Sequence, residues 1–105
     1  MPWLYLLIAG LFEVVWAYTM KQSHGFTRIV PSVITIGAMV ISFWLLAVAM
    51  RTIPLGTAYT IWTGIGAIGA FLVGIALLGE PVNVLRIIAA LLIVSGLILM
   101  KLSSS

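Results

Sequence analysis

"LLIAGLFEVVWAYTM", residues 6–20, sets a glutamate at position 13 inside an otherwise unbroken run of hydrocarbon and aromatic side chains. The rest of the chain decides what such a run means. Its 105 residues are 64% hydrophobic and 7% charged, with a mean hydropathy of +1.33. An ordinary soluble domain is about 45–50% apolar and about 25% charged. A water-soluble fold of this length needs a polar coat, and these residues are too few to make one. The composition therefore specifies a membrane protein, and the length of its apolar runs makes it all-α.

Outward from residue 13, four apolar segments emerge, at 3–20, 30–50, 57–78 and 84–101. Helices of that size rise about 1.5 Å per residue and cross a hydrocarbon core of about 30 Å. The separators "KQSHGFTRIV", "RTIPLG" and "GEPVN" carry the residues that end helices: Gly25 and Pro31, then Pro54 and Gly56, then Gly79 and Pro81. Asn83 is a candidate cap for the last helix. The expected architecture is one domain, 1–105, of four short-looped transmembrane helices with both termini on one side of the membrane.

Several function classes drop out. Cysteine is absent, which removes disulfides, thiolate nucleophiles and cysteine metal sites. His24, the only histidine, sits in a loop and reads as solvated. No metal site, cofactor or enzyme chemistry is expected. The five Lys and Arg are scattered, so no basic patch for nucleic acid forms. The first apolar run has no positive stretch before it and no cleavage motif after it, and reads as a retained span.

Charge hardly selects a topology. One membrane face receives Lys21, Arg28 and Arg86, and the other Arg51 and Lys101. With so small a bias, copies are expected to insert both ways up. Four helices are thin material for a gated pathway. Two oppositely oriented copies supply eight, with the in-plane two-fold axis that larger transporters obtain from inverted repeats. The expectation is an antiparallel, dual-topology homodimer with Glu13 of both copies facing a central site.

Glu13 lies near the middle of the first span. A carboxylate there must hold a proton, pair with a cation or face a water-filled cavity, and each option implies chemistry. On the same helical face, Gly10 and Ala17 leave room beside it and Trp16 brings an indole. Other polar groups within the spans include Ser42, Tyr59, Thr60, Trp62 and Thr63. Trp3, Tyr5 and Tyr18 lie near helix ends and read as interfacial anchors, while Trp44 reads as lipid-facing or packed. Gly66, Ala70 and Gly74 form a small-residue stripe suited to close helix packing, or to a flexible point in the third helix. An anionic centre with aromatic walls attracts organic cations. If one acid holds either a proton or such a cation, never both, their movements are coupled.

These residues also carry a resemblance. "GLFEVVWA" at 10–17, Lys21, "HGFTR" at 24–28, "PLGTAYTIWTGIGAIGAFLVG" at 54–74 and the "GEP" turn at 79–81 closely resemble the small multidrug resistance family, in its guanidinium-exporter subtype. The likeness covers all four helices. It implies a proton-coupled antiporter of the bacterial inner membrane that exports guanidinium and small guanidinyl cations as an antiparallel homodimer. It further implies that Glu13 binds proton and substrate, and that Gly10, Trp16, Ser42, Tyr59, Trp62 and Thr63 line or orient the site. Gly64 and Gly66 fall where the family's third helix bends, and Ala89 and Gly96 fall on its dimer-packing fourth helix. Two other readings stand beside this one: a polyspecific exporter of quaternary ammonium and lipophilic cations, and a structural membrane subunit whose acid pairs with another protein.

Overall fold

The computed structural model describes residues 2–103 and contains four α-helices. They are α1 (Pro2–Gln22), α2 (Ile29–Ala49), α3 (Leu55–Leu78) and α4 (Val84–Ser103). Each is long and apolar enough to cross a membrane. The ends fall where the turn chemistry directs. Gly79 takes a left-handed conformation, φ 67°, at the end of α3, and the Glu80 N–H reaches back to the Gly74 carbonyl at 3.0 Å. The Gly79 N–H bonds the same carbonyl, the six-to-one closure glycine permits after a helix. Asn83 caps α4, its Oδ1 accepting the Arg86 N–H at 2.9 Å.

The turn between α1 and α2 is tighter than its sequence suggests. His24, Gly25 and Phe26 all have positive φ, at 49°, 73° and 67°. Only the glycine takes that conformation without strain. Fully buried Ser23 holds the turn together. Its hydroxyl donates to the Met20 carbonyl at 2.7 Å and accepts the Phe26 N–H at 3.0 Å, and its own carbonyl accepts the Thr27 and Arg28 amides. His24 is exposed.

α1 is the central helix, packed against α2 on one side and α3 on the other, while α4 lies against α3. The tightest packing gathers at one end of the bundle. There Leu6 and Ala9 of α1 meet Leu45, Leu46 and Ala49 of α2 and Ala58, Ile61 and Trp62 of α3. In lipid, apolar burial gives helices little reason to associate, so close packing and interhelical hydrogen bonds do that work. Toward the other end, Thr19 and Thr35 join α1 to α2 by a 2.7 Å hydrogen bond between their hydroxyls. α4 has no buried residue at all.

Candidate functional site

Glu13 leaves α1 toward α3 and lies against Gly66. A Cβ built on Gly66 would overlap Oε1, Cδ and Cγ of the glutamate. The contact exists because position 66 has no side chain. Oε1 is buried and has no hydrogen-bond partner, and no basic side chain lies within the 4.0 Å ion-pair distance of Glu13 among the described residues. The residue as a whole is only partly buried. Part of it therefore faces out of the single chain.

A hydrogen-bonded node lies one helical turn away. The buried Ser42 hydroxyl of α2 donates to the Ala9 carbonyl of α1 at 2.7 Å and accepts the Trp62 indole N–H of α3 at 2.9 Å. Ala9 precedes Glu13 by four residues and Trp62 precedes Gly66 by four, so each pair shares a helix face. Node and carboxylate contact thus run side by side along the α1–α3 seam. The node fixes three helices at the level just before the acid, and its polar groups are satisfied.

Four aromatic rings continue from there. Trp16 of α1 meets Phe43 of α2 edge to face, centroids 6.3 Å apart. Phe43 meets Trp62 in the same manner at 5.7 Å, and Trp62 meets Tyr59 at 5.5 Å. Such edge contacts between rings are favourable. Trp16 Nε1 is buried and unpartnered, like Glu13 Oε1 three residues before it. An orphan donor and an orphan acceptor therefore occupy one region of α1 without satisfying each other.

The remaining candidates separate. Gly10 leaves a notch, but Ile65 of α3 fills it, 2.5 Å from where a Cβ would stand. Gly64 is filled in the same way by Leu97 of α4. α3 runs unbroken through Gly64 and Gly66, and both glycines seat a neighbour's side chain. Tyr59 and Thr63 line a groove of about 490 Å³ between α3 and α4, whose other wall includes Gly96. Ala89 and Gly96 are exposed, and nothing stands within 4 Å of a Cβ at Gly96. Trp44 is 65% exposed and faces outward.

Sequence reasoning missed Phe43, the ring that joins Trp16 to Trp62. No helical spacing links position 43 to either tryptophan, because the three rings come from three helices. The seat for the acid at Gly66 was equally hidden, since a glycine advertises close approach but not what approaches.

Comparison with known proteins places the chain among relatives along its length. Residues 1–103 match the family described as Small Multidrug Resistance protein. A guanidinium exporter of Salmonella typhimurium (strain LT2) is 60% identical over 104 residues, covering 99% of each chain. Guanidinium exporters of Citrobacter freundii and Escherichia coli (strain K12) are 58% and 57% identical over the same span and coverage.

Proposed function

The chain belongs to the small multidrug resistance family, and on that premise we propose that it is a proton-coupled antiporter exporting guanidinium and small guanidinyl cations. It is a multi-pass protein of the bacterial inner membrane, a transporter and not an enzyme. The relatives named above are guanidinium exporters at 57–60% identity over nearly the whole chain, which supports the substrate class. The observation that carries the mechanism is the orphaned pair: Glu13 Oε1 without a donor and Trp16 Nε1 without an acceptor, both buried.

Guanidinium supplies what the acid lacks. It is planar and permanently charged, and it offers a carboxylate two parallel N–H donors, as arginine does. Its flat faces suit the aromatic walls of Trp16, Phe43, Trp62 and Tyr59. A proton satisfies the same carboxylate in its place. Since Glu13 holds one or the other, binding guanidinium expels a proton and protonation expels guanidinium. Exchange follows when only occupied forms change the side to which the site opens.

The single four-helix domain acts as an antiparallel homodimer, with Glu13 from both copies in one central site. Three features support this: the part of Glu13 that faces out of its own chain, the mostly exposed α4 with Ala89 and Gly96 open along it, and the near-even charges at the two ends. Ser42 holds Trp62 in orientation, Gly10, Tyr59 and Thr63 shape the surroundings, and Gly64 and Gly66 let α3 shift between the two access states.

Reconstituted vesicles with an imposed pH gradient test the reading. Guanidinium and methylguanidinium should drive proton movement, a tetraalkylammonium should not, and Glu13→Gln should abolish exchange while the protein still folds. Equal flux with the tetraalkylammonium would overturn the selectivity. Absence of flux with every cation would overturn transport.

A further inference from the structure

Three charged side chains unused by the transport cycle gather at the end of the bundle that carries the α1–α2 and α3–α4 turns. They are Lys21 in the last turn of α1, Glu80 just beyond α3 and Arg86 in the first turn of α4. All three line one crevice of about 350 Å³ between α1, α3 and the start of α4. Although they share this space, none lies within the 4.0 Å ion-pair distance of another among the described residues. Charges spaced too widely to pair leave room for a charged group between them.

Two of these side chains are also held in place. The Arg86 guanidinium sits over the Phe71 ring, 5.7 Å from its centroid. The Glu80 carboxylate lies on the bare backbone of Gly74, where a Cβ would overlap Oε1. Below this rim the walls turn apolar, with Ala17, Ala70 and Val73 among them. A charged mouth at a span end above an apolar crevice is what a lipid headgroup and its chain meet.

We propose that this crevice binds a phospholipid whose headgroup carries both a phosphate and a primary ammonium, the phosphatidylethanolamine class. The phosphate lies between Lys21 and Arg86, which supply the N–H donors it accepts. The ammonium reaches Glu80, and the first acyl methylenes follow the apolar wall. A headgroup with phosphate alone leaves Glu80 facing an anion. A quaternary ammonium has no N–H to give the carboxylate. The crevice extends to Val14 and Ala67, the residues next to Glu13 and Gly66, so the lipid braces α1 against α3 beside the carboxylate seat.

Native mass spectrometry of the whole protein in detergent tests this, with phosphatidylethanolamine, phosphatidylglycerol and phosphatidylcholine of identical acyl chains, and O-phosphoethanolamine as a chain-free headgroup. Phosphatidylethanolamine should be retained in preference to the other two and far more tightly than O-phosphoethanolamine. Lys21→Gln and Glu80→Gln should each weaken its retention about tenfold, the loss of one charge-assisted contact. Arg86→Lys should keep the preference, and Glu80→Lys should turn it toward phosphatidylglycerol. Equal retention of phosphatidylcholine, tighter retention of phosphatidylglycerol, or equally tight binding of O-phosphoethanolamine would each overturn the proposal. The ordering on the unsubstituted protein decides it even if a variant fails to fold.

Discussion

Gly66 of α3 turns bare backbone to the Glu13 carboxylate of α1, so closely that a single methyl group at position 66 would occupy the space of Oε1. The depth at which the acid sits is set by a side chain that is not there. Gly66→Ala should favour the helix, since alanine is the better helix former, while pushing the carboxylate out of its seat. Misplacement of a reacting group by about 1 Å can cost on the order of 100-fold in rate. A loss of guanidinium exchange of about 10- to 100-fold with helical content kept is the expected result. Gly37→Ala, where nothing stands within 4 Å, should leave exchange unchanged.

Ser42→Ala removes the middle of the Ala9–Ser42–Trp62 node and leaves the Trp62 indole N–H buried without an acceptor. In a membrane bundle such an interhelical bond is worth about 0.6 kcal/mol on average and up to about 1.7. Because two bonds are lost, destabilisation by about 1–2 kcal/mol in a reversible unfolding assay is expected. The half-saturating guanidinium concentration should rise as Trp62 loses its orientation.

Competition for one carboxylate fixes the sign of the pH dependence. In the proposed cycle guanidinium binds the deprotonated acid, so its affinity should fall as pH drops through the titration of Glu13 in the protein. The limiting slope for one-for-one exchange is about tenfold per pH unit. Above that range the affinity should level off. Isothermal titration with guanidinium over a pH series measures both limbs, and a flat profile would exclude competition.

The near-even charges at the two ends make insertion in both orientations an expected property of the native chain. A reporter fused at the C-terminus should read both sides of the membrane, and extra arginines in one end should bias it to one side. Such a biased chain alone should lose exchange, and co-expression with one biased the opposite way should restore it. Uniform orientation of the native protein would remove the antiparallel dimer.

Much of this was legible before any coordinates. Helix number and placement follow from apolar run length and the residues between runs, because a lipid solvent leaves the chain few alternatives. Asn83 and Gly79 were readable as helix-end signals from their own chemistry. Glu13 stood out because a carboxylate in hydrocarbon demands an explanation. Residue pairs across helices were not legible: Ile65 filling the Gly10 notch, Leu97 filling that of Gly64, and Phe43 bridging two tryptophans all depend on how helices rotate against each other. The left-handed His24 and Phe26 were hidden too, since the Ser23 hydrogen bonds that hold them come from the folded turn.

Proton release on guanidinium binding tests the shared carboxylate most directly. In weakly buffered detergent solution, adding saturating guanidinium to the protein should acidify the medium over the pH range in which Glu13 titrates, and Glu13→Gln should abolish the signal. Saturable guanidinium binding that releases no proton at any pH would contradict a cycle in which one acid holds either ion but never both.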